Sequence, residues 1–143
     1  MAAKMPGFSW PIRVYFEDTD MAGVVYYANY LKFMERARTE WLRSLGFEQD
    51  HLKAHERRIF AVRSVEIEYL SPAVFNDALI VESRVLRAGK ASISFAQEIV
   101  RKRKEGGGDV LCRGRIKIAC LETDSFKPAI MPKDLLEAVK SVC

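Results

Sequence analysis

Asp18 and Asp20 are two carboxylates two residues apart in the run Asp18-Thr19-Asp20-Met21-Ala22-Gly23-Val24-Val25-Tyr26-Tyr27-Ala28-Asn29-Tyr30. The strongest helix signal of the chain follows directly. The first turn of a helix has backbone N–H groups without intrahelical partners and the positive end of the helix dipole, so it favours developing negative charge. Gly23 lets a substrate approach the backbone closely. A carboxylate beside such N–H groups is a minimal hydrolytic apparatus: a base or nucleophile with oxyanion donors. Acidic residues before helices are also ordinary N-caps, and either aspartate admits that reading.

Other chemistries find less support. The sequence has no G-x-S-x-G, and no serine has an evident histidine and acid to complete a triad. His51 and His55, spaced i,i+4 in a charged stretch, suggest no third metal ligand, so neither metal nor cofactor is expected. Cys112, Cys120 and Cys143 are odd in number and form no C-x-x-C. If Cys112 and Cys120 share a strand they lie ~26 Å apart, far beyond disulfide reach. They read as small apolar filler. A thioester suits what remains, because a thiol with a free pKa of ~8.5 leaves as thiolate with little help from an acid.

The elements that must position these residues follow from periodicity. A short strand is predicted over Ile12 to Phe16, then a polar turn, then a helix over roughly Tyr27 to Leu45. Leu31, Met34, Ala37, Trp41 and Leu45 recur every three or four residues, and Gly46 stands where a C-terminal glycine belongs. Lys32, Glu35, Arg36 and Glu40 occupy the opposite face. After a short helical segment in Glu48 to Arg58, the period changes to two in four stretches. These are Ser64 to Tyr69, Leu79 to Val85, Ser92 to Ile99 and Val110 to Cys120, which read as half-buried antiparallel strands. A last helix runs from Lys133 to Val142 after Pro132. The expected class is α+β, a five-stranded antiparallel sheet wrapped around one long helix. Its edges need covering, which points to an obligate oligomer.

With 143 residues, 49% apolar and 29% charged, the chain suits one domain over 1–143 and is too apolar to be disordered. No stretch approaches a membrane span, and the first residues show no apolar signal region, so the expected address is the cytoplasm. A net charge of +4 favours an anionic partner, but no aromatic-interleaved basic stretch supports nucleic acid.

The run from Asp18 to Tyr30 resembles the 4-hydroxybenzoyl-CoA thioesterase family of the hotdog fold, in its YbgC-like branch. The likeness includes Val14-Tyr15-Phe16-Glu17-Asp18-Thr19-Asp20, Gly23-Val24-Val25-Tyr26, Asn29-Tyr30 and Glu35-Arg36-Ala37-Arg38-Thr39-Glu40. It continues through Val65-Glu66-Ile67-Glu68-Tyr69, Pro72-Ala73 and Lys127-Pro128 to Pro132-Lys133. The resemblance implies an acyl-CoA thioester hydrolase with Asp20 as the catalytic carboxylate and backbone N–H groups near Tyr26 and Tyr27 as oxyanion donors, leaving the cap role to Asp18. It also implies substrate contacts at Gly23 and Asn29, and homodimers or dimers of dimers with sites between protomers. Against CoA phosphates, Arg87 and Lys90 at a predicted turn and Arg113, Arg115 and Lys117 on one strand are the candidate cations. The run Arg101-Lys102-Arg103-Lys104 reads as a solubilising hairpin tip. Two positions depart from the branch: Tyr27 stands where many members have His, and Phe16 where many have a second Tyr. A mechanism through that imidazole is therefore not open to this chain, and neither is a histidine-dependent dehydratase reaction. The alternative is a non-catalytic module that binds acyl-CoA or acyl carrier protein.

Overall fold

The computed structural model describes residues 7–143. The long helix α1 spans Asn29–Ser44, a stretch without glycine or proline. Tyr30, Phe33, Met34, Ala37, Trp41 and Leu42 form its buried stripe. Leu31 and Leu45, expected on that stripe, are only half-buried. The buried arc is rotated toward the aromatic residues Tyr30 and Phe33, whose larger side chains bury more apolar surface. At the other end, Gly46 takes φ 95°. Its N–H donates to Arg43 O at 2.9 Å, and the Phe47 N–H donates to Leu42 O at 3.2 Å. This pair of bonds satisfies the last helical carbonyls and stops the helix where the glycine predicts.

Five antiparallel strands follow the order β1-β3-β4-β5-β2: Phe8–Arg13, Arg58–Tyr69, Ala78–Ala88, Ser92–Lys102 and Gly108–Glu122 are β1 to β5. The α+β layout expected from periodicity is the one observed. β1 lies earlier than predicted, because Phe16 to Asp18 form a 3₁₀ turn instead of extending the strand. Pro11 is tolerated there because β1 is a sheet edge. Short helix α2, Gln49–His51, continues through a turn over Leu52–Glu56, and α3 spans Lys133–Ser141.

The core lies between α1 and one face of the sheet. Val81 and Val85 of β3, Ile93, Phe95 and Ile99 of β4, and Ile116 and Ile118 of β5 are buried there. Trp41 meets Phe95 edge-on, with ring centroids 5.0 Å apart. Two polar side chains, Ser83 and Gln97, sit among them: the Gln97 amide nitrogen donates to Met34 O at 3.0 Å and Ser83 Oγ at 2.9 Å. Its oxygen accepts from Arg38 Nη1 at 2.9 Å. A buried amide with each function bonded does not carry a desolvation penalty.

Strand β2 departs from the expectation of a half-buried strand. Val62 and Val65 are 52% and 38% exposed, although they share the face of Ile118 and Ile116, their partners on β5. The reason is position: β2 is the other sheet edge, and α1 packs on β1, β3 and β4. Alternation marks which face a residue takes, not whether anything covers it.

Cys112 and Cys120 lie buried on β5, while Cys143 is exposed. Burial pushes the Cys112 thiol up to about 12 and the Cys120 thiol in the same direction. At pH 8 a thiol reagent is expected to modify one cysteine per native chain, Cys143, and all three after denaturation. Three rapidly reacting thiols in the native protein would contradict this packing.

Candidate active site

The segment between β1 and α1 folds back on itself. Thr19 bridges Val25, and the Asp20 N–H donates to Val24 O at 2.9 Å. The turn closes with the Gly23 N–H on Asp20 O, also at 2.9 Å, and Gly23 takes φ 80°. That left-handed conformation, and not lack of space, makes glycine the fitting residue here. A Val24–Val74 bridge and the bond from Val25 N–H to Ala73 O tie the segment to the chain between β2 and β3.

Asp18 and Asp20 play different parts. The Asp18 carboxylate accepts from its own neighbour, the Tyr15 N–H, at 2.8 Å. Its main-chain carbonyl accepts twice, from the Tyr26 N–H and from Asn29 Nδ2, both at 2.9 Å. Asp18 therefore holds the start of α1 from outside and does not cap it; the N-cap position is Ala28, which makes no side-chain cap bond. Asp20 is exposed. Its Oδ1 accepts from the Ala22 N–H at 2.9 Å, and Oδ2 receives no donor among the described residues.

At the start of α1 the Tyr26 N–H, one of the two expected oxyanion donors, is committed to Asp18 O. The N–H groups of Tyr27 and Ala28 meet no acceptor among the described residues. Beside them lies a cavity of about 270 Å³ lined by Val25, Tyr27, Tyr30, Tyr69, Leu70, Ser71 and Pro72. Asp20 is outside that lining. Tyr30 Oη accepts from the Ala73 N–H at 3.0 Å, and Tyr69 Oη donates to Tyr27 O at 3.1 Å. Burial pushes both phenols above their ordinary range, so they stay protonated at neutral pH.

The remaining candidates are placed as follows. Gly23 and Asn29 belong to the same corner as Asp20, but the Asn29 amide is engaged with Asp18 O. Arg87 and Lys90 are exposed at the far end of β3. Nine residues separate Arg87 from Ala78, the end nearest the Asp20 segment, which is about 30 Å along a strand. Within one protomer they do not meet Asp20. Arg113 pairs with Glu98 at 2.7 Å, and Glu68 stands opposite it on β2, so this strand face carries its own countercharge. At the hairpin tip, Arg101 and Arg103 both pair with Asp109. The rings of His51 and His55 lie 4.3 Å apart, and among the described residues no group of three metal-binding side chains occurs.

Sequence reasoning missed Tyr69 and Ala28 as members of this corner. Tyr69 read as the last apolar position of a strand and as part of the family resemblance, with no role at the site, and a main-chain N–H leaves no signal in a side-chain pattern.

Comparison with known proteins gives the family of the chain. Residues 14–139 match the model of the thioesterase-like superfamily. The acyl-CoA thioesterase YbgC of Haemophilus influenzae is 42% identical over 132 residues, covering 92% of this chain and 93% of that protein. The crystal structure of a probable thioesterase from Bartonella henselae is 35% identical, with a TM-score of 0.79 over 87% of this chain and 98% of that one. An aspartate-to-asparagine mutant of 4-hydroxybenzoyl-CoA thioesterase, complexed with 4-hydroxybenzoyl-CoA, superimposes with a TM-score of 0.87 over 94% of this chain and 99% of that one. At 17% identity this last likeness speaks for the hotdog fold alone. The chain belongs to the thioesterase-like superfamily, in the branch of the YbgC acyl-CoA thioesterases.

Proposed function

We propose that this chain hydrolyses acyl-CoA thioesters to a carboxylic acid and free CoA, with Asp20 as the catalytic carboxylate. The observation that supports this most is that the segment leading into α1 carries a carboxylate oxygen without a donor and, seven and eight residues further on, two N–H groups without acceptors among the described residues. The first is Asp20 Oδ2, and the second are Tyr27 and Ala28 at the start of α1. Among the described residues these three groups have no partner and can meet a ligand.

Two routes use the same groups. As a base, Asp20 takes a proton from water as the water oxygen bonds to the thioester carbonyl carbon. The carbonyl π electrons move to oxygen, where the helix-start N–H groups stabilise them. Collapse of this intermediate breaks the C–S bond, and the CoA thiolate recovers the proton. As a nucleophile, Asp20 bonds to the carbonyl carbon itself, expels the thiolate and forms an anhydride that water then opens. Either way Gly23 keeps the approach to the turn free of a side chain.

The whole chain acts as one hotdog domain in this reading, and a second copy completes the site. The exposed apolar edge of β2 favours such pairing, as do the separate positions of Asp20 and of Arg87 and Lys90. Those two cations serve CoA phosphates only if a second copy brings them to Asp20. The expected setting is the cytoplasm, with acyl carrier protein as the alternative thioester donor in place of CoA.

A panel of short, long and aromatic acyl-CoAs, assayed for free thiol, tests the reaction class. At least one is expected to release CoA over many turnovers. A protein that binds such a compound and releases no thiol is instead the acyl-CoA or acyl-carrier-protein binding module, and the hydrolase reading fails.

A further inference from the structure

We infer that Tyr69 is a positioning residue, whose hydroxyl fixes the direction of the Ala28 N–H offered at the start of α1. The inference rests on the proposed role of that group. At the first turn of α1, the Leu31 N–H closes on Ala28 O at 3.2 Å. The Tyr27 carbonyl, which that N–H would meet in a regular helix, takes the Tyr69 hydroxyl instead, at 3.1 Å. The bond crosses from the end of β2 to the start of α1, between residues far apart in sequence.

A peptide group is planar and trans, so its C=O and N–H point in opposite directions. Holding the Tyr27 carbonyl therefore holds the Ala28 N–H on the same peptide. The Tyr27 ring also packs edge-on against Tyr69 at 6.0 Å, and Tyr69 packs against Tyr30 at 5.7 Å. Tyr30 is in turn fixed by the Ala73 N–H. On the opposite side, Asp18 O holds the Tyr26 N–H and the Asn29 amide. Residue 27 is thus held at its carbonyl and its ring by Tyr69, while its neighbours are held by Asp18. Ala28 offers no side chain that could do the same work.

An oxyanion donor contributes only if it already points at the oxygen before charge develops there. Removing the Tyr69 hydroxyl leaves the ring contacts and the cavity wall in place and frees the peptide to rotate. The cost therefore falls on the chemical step and not on substrate binding.

The test is Tyr69→Phe, assayed beside wild type and Asp20→Asn on whichever acyl-CoA is turned over best. kcat is expected to fall about 3- to 10-fold, the worth of one hydrogen bond. KM and the thermal midpoint are expected to stay unchanged. In amide ¹H–¹⁵N spectra the Tyr27 and Ala28 signals are expected to shift, while those at the C-terminal end of α1 stay in place. Unchanged kcat with unshifted Tyr27 and Ala28 signals overturns the inference. A fall in kcat matched by a rise in KM and a lower midpoint also overturns it, because Tyr69 is then a packing residue. The proposed function fails separately, on undiminished turnover by Asp20→Asn. The amide signals still decide the role of Tyr69 in that case.

Discussion

Asp20→Asn is expected to lower kcat for acyl-CoA hydrolysis by roughly 100- to 10 000-fold, the range for loss of a positioned base or nucleophile. The fold is expected to survive. Asparagine keeps an Oδ1 that accepts the Ala22 N–H, and the main-chain bonds from Asp20 N–H to Val24 O and from Gly23 N–H to Asp20 O do not involve the side chain. What disappears is the negative charge and the basicity of the second oxygen. Asp18→Asn is the matched comparison. Its side chain serves the Tyr15 N–H, which asparagine also serves, and the work of residue 18 on α1 runs through its main-chain carbonyl. Most of the activity is expected to remain. Free-thiol kinetics with circular dichroism on both variants give the result. Equal losses in the two would mean that the turn, and not the residue-20 carboxylate, is what the reaction needs.

Phe95→Ala carries the largest expected effect on stability, a loss of about 3–5 kcal/mol. Phe95 is fully buried on β4, between β3 and β5, and its ring lies beneath Trp41 of α1. The residues around it are held by strand pairing on both sides, so little collapse can fill the space left behind. Domains of this kind have about 5–15 kcal/mol in total, so this one truncation removes a large share. Phe126→Ala is the contrast. Phe126 is 66% exposed in the turn after β5, and its replacement is expected to change stability by no more than about 0.5 kcal/mol. Urea unfolding with a common slope measures both. A Phe95→Ala midpoint within error of wild type would contradict the assignment of the core.

The fold was legible where local chemistry and burial agree. α1 reads from its stripe and from Gly46, and β3 to β5 read from alternation, because each of these has one face against the core. Reading failed at the edges. Val65 alternates with Ile67 and Tyr69 like a core residue, yet it is 38% exposed, because β2 is a sheet edge and α1 packs on β1, β3 and β4. Phe16 continues the apolar pattern of β1 but turns into a 3₁₀ helix, where the Asp18 carboxylate draws in the Tyr15 N–H. The site divides in the same way. Asp20 and the helix start stand out as residue types at a telling spacing. The identity of the unpaired N–H groups depends instead on which carbonyls the neighbours reach. Asp18 O takes the Tyr26 N–H, and no pattern of side chains encodes that choice. Arg87 and Lys90 form a basic turn in sequence, but the length of β3 sets them at the other end of the sheet.

The most direct measurement is a crystal structure of Asp20→Asn soaked with an acyl-CoA that the wild-type protein cleaves. The intact thioester is expected to lie with its carbonyl oxygen about 3 Å from the Tyr27 or Ala28 nitrogen. Its carbonyl carbon is expected to face the residue-20 side chain, directly or through one water. A thioester bound in full elsewhere, for instance in the groove between Leu31 of α1 and Val65 of β2, with those N–H groups facing only solvent, would contradict the account.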